Sequence, residues 1–266
     1  MSKMLVVAGM HRSGTSLTAS WLHANGLFLG NNLMYGGFDN IKGHFEDLEI
    51  LKIHEQNLLR QGFVTNGLKL KNSDVFSFDN IALKEVKKII ELRSKNYIWG
   101  WKEPRGTLFL EDWYNLNPDM FCLAVYRDVA EVTDSLERRS FHTLFNTKNI
   151  KNPNRFIKKI IYPIIKKRDK ERNIEAWIKY NNSILEFKKK HPDNCIILNL
   201  NDLMNSSNEI LELLYRRIGF KHDEISFSSI FSEGLYNKNS YIIKANKKLL
   251  KMIDETTLQL IENKYK

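Results

Sequence analysis

Residues 9–16 read Gly-Met-His-Arg-Ser-Gly-Thr-Ser, a combination suited to gripping an anion. Two glycines five positions apart let the backbone wrap closely, so that its N–H groups and those of a following helix converge on one point. Ser13, Thr15 and Ser16 add hydroxyl donors, and Arg12 adds a permanent charge on a forked donor. A second group of the same character begins at Arg127, followed by Ser135 and Arg139. Positions 135 and 139 lie one helical turn apart on a shared face. Two arginines and a serine make a second candidate phosphate site. Two separate anion sites imply a ligand phosphorylated at two places rather than a linear triphosphate.

The first loop differs from the G-x-x-x-x-G-K-[ST] phosphate loop at one decisive position. Thr15 stands where the lysine belongs, and the cation has moved to Arg12. Metal-dependent hydrolysis of a nucleoside triphosphate is therefore disfavoured. A third region of interest is Gly43-His44-Phe45-Glu46-Asp47, where three titratable groups flank one aromatic ring. Either Glu46 or His44 could accept a proton from a hydroxyl, and an imidazole's ordinary pKa of ~6.5 suits that task. Equally, Glu46 and Asp47 could serve only as first-turn acids of the helix that begins there. The sequence offers no His/Cys/Asp/Glu cluster with metal-ligand spacing, so no metal is expected.

These residues need elements to place them. Residues 4–8 (MLVVA), 121–126 (FCLAVY) and 195–200 (CIILNL) are continuous apolar runs, as in strands buried on both faces, and 97–102 (YIWGWK) is a shorter one. Helical periodicity follows over 15–25, 46–60, 81–94, 108–116, 128–139, 156–190 with an interruption at Pro163, 202–218 with Asp202 as its cap, and 247–263. Residues 28–43 and 63–80 read as irregular. Alternating strands and helices predict an α/β fold with a parallel sheet. With 266 residues and no composition break, a single domain over 1–266 is expected. Cys122 and Cys195, the two cysteines, each fall in a strand-like run and read as buried thiols. His54, His142, His191 and His222 have no neighbours that suggest a special role.

Three segments together resemble the sulfotransferases that use 3′-phosphoadenosine 5′-phosphosulfate (PAPS). His11 to Leu17 is similar to that family's 5′-phosphosulfate loop. Tyr126-Arg127-Asp128 through Ser135 is similar to its 3′-phosphate motif, an arginine followed eight residues later by a serine. Trp101-Lys102-Glu103-Pro104-Arg105 resembles its Lys-Asp-Pro segment, with Glu for Asp. The likeness covers roughly the first 140 residues, and the form of the loop together with a missing cytosolic-type C-terminal motif lies nearer the bacterial and Golgi-type branch. It implies a P-loop-type domain with helices on both faces of the sheet. It also implies that Arg12, Ser13, Gly14, Thr15 and Ser16 hold the 5′-phosphosulfate, that Arg127, Ser135 and Arg139 hold the 3′-phosphate, and that Lys102 reaches the transferring group. Related bacterial sequences carry a Gly-x-[Phe/Trp]-Glu-Asp element at the place of 43–47, which puts Glu46 ahead of His44 as the base.

The expected reaction is transfer of a sulfuryl group from PAPS, without metal, to a hydroxyl of a carbohydrate, lipid or small metabolite. The alternatives are a P-loop kinase using ATP and a non-catalytic nucleotide-binding module. A formal charge of +10 suits an anionic partner without choosing one. Residues 151–172 hold nine Lys or Arg, either as a solvated helix face or as a docking face for an acidic glycan or lipid headgroup at a membrane. No nucleic-acid-binding module is visible. No run approaches the ~20 apolar residues of a spanning helix, and none at the N-terminus resembles a signal peptide, so a cytoplasmic location is expected.

Overall fold

The computed structural model describes residues 2–34, 36, 43–146, 155–230, 243 and 245–265, except the side chains of 144–146, 155–161, 164 and 165. Four strands, β1 (Lys3–Ala8), β2 (Ile98–Lys102), β3 (Met120–Tyr126) and β4 (Cys195–Asn199), form one all-parallel sheet in the order β2-β1-β3-β4. The apolar runs are strands because both of their faces are covered. Met4, Val6 and Ala8 pack into one core, and Leu5 and Val7 into the other, all fully buried. Each such Leu or Val side chain contributes roughly 1.5–3 kcal/mol by leaving water.

The first core lies under α2 (Leu48–Arg60), α3 (Asn80–Arg93), α4 (Leu110–Leu116), α5 (Val129–Asn146), α6 (Arg155–Lys190) and α9 (Lys247–Glu262). The second lies under α1 (Thr15–Ala24), α7 (Leu200–Ile218) and the single turn α8 (Phe227–Ile230). Helices therefore flank the sheet on both sides, as expected of the P-loop type.

Four local details differ from the sequence reading. The stretch 108–116 begins with a 3-10 turn, Pro104–Phe109, and becomes α4 only at Leu110. Pro104 fixes its own φ and has no N–H to lose, so the tight turn starts at once. The cap of α7 is Asn199, not Asp202. Asn199 Oδ1 accepts from Asn201 N at 2.9 Å, and Asp202 reaches back to Asn199 N at 2.8 Å, a reciprocal capping box. Helix α5 runs on to Asn146. Helix α6 is continuous through Pro163. One proline removes one hydrogen bond, costing about 3 kcal/mol. The buried Ile174, Trp177, Ile178, Tyr180, Ile184 and Phe187 farther along the helix outweigh that cost.

The basic stretch 151–172 falls largely outside the described residues, which omit 151–154 altogether and the side chains of 155–161, 164 and 165. The irregular segment 28–43 lies partly outside them too, at 35 and 37–42. Cys122 and Cys195 are buried, free, and opposite one another on β3 and β4.

Candidate functional site

All four strands run the same way, so their carboxyl ends share one edge, where open α/β sheets gather ligands. Ala8 leads into the 9–14 loop, Lys102 into the 3-10 turn, Tyr126 into Arg127, and Asn199 into α7.

The 9–14 loop folds as a cradle. Gly9 (φ 149°) and Gly14 (φ 93°) adopt backbone conformations that L side chains rarely reach. A Cβ on Gly9 would sit 2.4 Å from the Val125 carbonyl oxygen, and one on Gly14 would sit 2.5 Å from Leu200 Cδ1. Thr107, on the 3-10 turn, braces the loop from below by accepting from Gly9 N at 2.9 Å and donating to Gly9 O at 3.3 Å. Arg12 itself takes a left-handed conformation (φ 69°), which costs about 1–3 kcal/mol and marks a constrained position. Its Nε donates to Ser135 Oγ at 2.9 Å, across 123 positions of sequence. The first loop and the helix carrying the second motif thus meet directly.

Two buried polar atoms of the loop have no partner among the described residues, Ser13 Oγ and His11 Nε2. An unmet buried donor or acceptor costs about 1–3 kcal/mol, and an anion seated in the loop is the natural complement to the serine. His11 is held well below the ordinary imidazole pKa, first by burial, then by the charge of Arg105, with Lys102 and Arg139 adding to it against Glu103. The imidazole is therefore uncharged at neutral pH.

Beside the loop, Lys102 emerges from the end of β2 almost completely buried. Its Nζ donates to Ser16 Oγ at 3.0 Å, to the His44 carbonyl at 3.1 Å and to Glu46 Oε1 at 2.6 Å. Three segments distant in sequence are thereby tied at one ammonium. Glu46 and Asp47, adjacent in the chain, have separate duties. Asp47 caps α2, accepting from Glu49 N and Ile50 N, and is clamped by Arg93 of α3. Glu46 takes no part in the cap and turns to Lys102. The backbone that aims it is pinned by Met34 N to Glu46 O at 2.7 Å and Leu48 N to Asn32 O at 3.0 Å. Gly30 also presses on this corner, since a Cβ there would lie 1.8 Å from Asp47 Oδ2.

Behind Lys102 lies a buried network that sequence reasoning missed. Burial alone would raise the Glu103 carboxyl, but Arg105 and the contact from His54 outweigh it and hold it well below the usual carboxylate range. His54 Nδ1 sits 2.7 Å from Glu103 Oε2, and its Nε2 accepts from Trp113 Nε1 at 3.0 Å. The tautomer with its proton on Nδ1 satisfies both contacts. Phe78 and Phe109 lie nearly parallel to the ring and to each other, with centroids 4.9 to 5.9 Å apart. Arg105 pairs with Glu103, donates from Nη2 to Glu55 at 2.9 Å and from Nε to Thr65 O at 2.6 Å. The only sequence signal for His54 was its place among Ile50, Ile53, Asn57 and Leu58, the inward face of α2.

The other predicted residues are placed as follows. Ser16 contacts Lys102 and Thr15 is buried at the start of α1. Arg127 donates from Nε to Glu131 Oε2 at 2.5 Å, and its carbonyl accepts from Trp177 Nε1. Arg139 lies on the wall of a cavity of about 540 Å³ that also includes His11, His44 and Glu46. The structure therefore joins Arg12 to Ser135 and Lys102 to Glu46 and Ser16. It holds Arg127 on Glu131 at the end of β3, and puts Arg139 beside the acid and the two histidines. Among the described residues no group of three or more His, Cys, Asp or Glu is arranged to hold a metal ion. No described helix is long and apolar enough to cross a membrane.

Comparison with solved structures returns this same fold. Sulfotransferase STF1 from Mycobacterium tuberculosis H37Rv matches 98% of this chain and 77% of its own, with a TM-score of 0.57 at 12% identity. The sulfotransferase domain from the Synechococcus PCC 7002 olefin synthase matches 97% and 96%, with a TM-score of 0.56 at 10% identity. The sulfotransferase domain from the curacin biosynthetic pathway matches 97% and 98%, with a TM-score of 0.53 at 10% identity. No family model and no curated protein matches the sequence.

Proposed function

We propose that this chain, which has the fold of sulfotransferases, transfers a sulfuryl group from PAPS to an acceptor hydroxyl. The observation that carries the reading is the convergence on one edge of the sheet. There Lys102 bridges the phosphate loop at Ser16 to the carboxylate of Glu46, and Arg12 of the same loop reaches Ser135 of the second anion motif. A nucleotide phosphorylated at both ends would lie across that edge.

When bound, the donor supplies a sulfuryl group on an activated phosphate oxygen. The chain supplies the surroundings. Arg12, Ser13, Gly14, Thr15 and Ser16 hold the 5′ end through backbone and hydroxyl donors. Arg127, Ser135 and Arg139 hold the 3′-phosphate. Lys102, itself almost completely buried, places a positive charge where negative charge grows on the leaving oxygen. Glu46 receives the acceptor's proton, with His44 the second candidate. No metal is assigned a role. We also read residues 1–266 as one domain, because helices from α1 to α9 close over the same four strands. Two free, buried thiols suit a reducing, cytoplasmic setting.

Calorimetry tests this reading. Binding of 3′,5′-adenosine bisphosphate without divalent metal, tighter than binding of ATP with Mg²⁺, is the expected outcome. Preference for Mg-ATP would point to a kinase and overturn it.

A further inference from the structure

The cavity beside Glu46 differs in character from the protein as a whole. It is of a size usual for small-molecule sites, roughly 300–1,000 Å³. The chain carries a formal charge of +10, yet three carboxylates, Glu46, Glu55 and Asp169, line this space against two guanidiniums, Arg105 and Arg139. The charge of Arg105 is already shared between Glu103 and Glu55. His11, on the same wall, is kept uncharged. Each of these acids has a cation of its own, Glu46 with Lys102, Glu55 with Arg105 and Asp169 with Arg172, so the wall has no surplus of positive charge to receive a carboxylate or sulfate.

The remaining polar lining consists of groups that both donate and accept, notably the amides of Asn66 and Asn173. Among the described residues the apolar lining is aliphatic, from Leu51, Leu68 and their like, with no phenyl or indole ring on the wall. The nearby aromatics, Phe78, Phe109 and Trp113, are packed around His54. A planar phenol finds no phenyl or indole ring to stack on. Carboxylates, amides and short aliphatic patches instead match a ligand with hydroxyls around its rim and C–H groups on its faces.

We propose that this cavity is the acceptor site and that it takes a neutral polyhydroxylated acceptor, a saccharide or cyclitol. The assignment rests on the sulfotransferase reading and narrows it. Glu55, fixed by Arg105 at 2.9 Å and one-third exposed, is the wall residue that meets the acceptor's hydroxyls away from the reacting centre.

The full chain is incubated with PAPS and three acceptor sets: neutral mono- and disaccharides with a cyclitol, uronic-acid or sulfated disaccharides, and phenols with long-chain alcohols. Mass spectrometry reads the gain of one SO₃, and calorimetry with 3′,5′-adenosine bisphosphate is run in parallel. The expected result is a kcat/KM for the best neutral polyol at least about tenfold above the best member of either other set, a gap of about 1.4 kcal/mol. Glu55→Gln should raise KM for that polyol severalfold while leaving bisphosphate affinity unchanged. Glu55→Lys should narrow the gap to the anionic set. If the bisphosphate binds and transfer favours the anionic or phenolic set, the acceptor assignment falls while the sulfotransferase reading stands. If the bisphosphate binds and no set is sulfated, both fall. Absence of bisphosphate binding likewise removes the premise and the assignment with it. Should Glu55→Gln fold, bind nucleotide and leave KM for the polyol unchanged, Glu55 is no part of the site and the lining argument fails.

Discussion

Replacing Glu46 by Gln removes one charge from the Lys102 cluster and keeps its shape. At 2.6 Å the two unit charges attract by about 6 kcal/mol at an effective dielectric of about 20. Most of that offsets the cost of taking both groups out of water. After the change Lys102 retains Ser16 Oγ and the His44 carbonyl, and the new amide oxygen can accept the third bond. The stability loss should therefore be small, about 1–2 kcal/mol, comparable to weakening one charge-assisted bond. Turnover should fall far more, by about 10²–10⁴, because an amide cannot take the acceptor's proton. Lys102→Met is the mirror experiment. It strands a buried carboxylate, so the fold itself should lose about 3–5 kcal/mol. Thermal unfolding, calorimetric affinity for 3′,5′-adenosine bisphosphate and kcat for sulfation of the best acceptor are measured on both variants and on the double. The reasoning is refuted if Glu46→Gln keeps kcat within about threefold of the parent, where base loss predicts at least ~10². It is refuted equally if nucleotide affinity falls in proportion to kcat, since the acid would then be structural.

Arg12→Ala should weaken bisphosphate binding by about 1.5–3 kcal/mol, the worth of a hydrogen bond from a charged group, and combining it with Ser135→Ala should cost less than the sum. Additive losses in calorimetry would separate the two residues. His54→Ala removes a fully buried ring packed against Phe78 and Phe109, takes one of its partners from Glu103 and leaves the Trp113 indole N–H without its acceptor. Denaturant unfolding should register about 3–5 kcal/mol of lost stability, whereas a surface-like loss below about 0.5 kcal/mol would contradict the network. Melting temperature should depend on pH through two depressed groups. The His11 imidazole binds its proton less readily folded than at its ordinary 6.5, and the Glu103 carboxyl less readily than at its ordinary 4.5. Both contributions are complete above those values and are lost as pH falls. The curve should hold level above about pH 7, decline below about 6.5, and decline more steeply below about 4.5. His11→Asn should remove the first step alone, and a curve level down to pH 5 would contradict the His11 assignment.

The strands and the phosphate loop were legible in the sequence because their signals are local. An unbroken apolar run means burial on both faces, and glycine spacing around an arginine and three hydroxyls has few other uses. The partners of those residues were less legible. Nothing in the string Glu46-Asp47 distinguishes the acid that caps α2 from the one that faces Lys102, because the distinction comes from a lysine 56 positions away and an arginine 46 positions away. The contact of Arg12 with Ser135 was anticipated only as two anion sites serving one doubly phosphorylated ligand. His54 read as ordinary because its partners, Glu103 and Trp113, lie 49 and 59 positions downstream. The cap of α7 was misplaced by three residues because asparagine and aspartate are nearly equal caps, and only the backbone geometry shows which one precedes the helix. Arg127 has two acids within four residues, Asp128 and Glu131, and the structure pairs it with Glu131.

The corner where Gly30 meets Asp47 and Arg93 carries a consequence for descent. The aspartate has no room to move and is the arginine's buried partner, so a methyl group at position 30 would displace both. In divergent copies of this chain these three positions should vary together or not at all. A lineage that gains a side chain at 30 should have lost the aspartate at 47, and with it the pivot that turns the preceding glutamate toward the lysine.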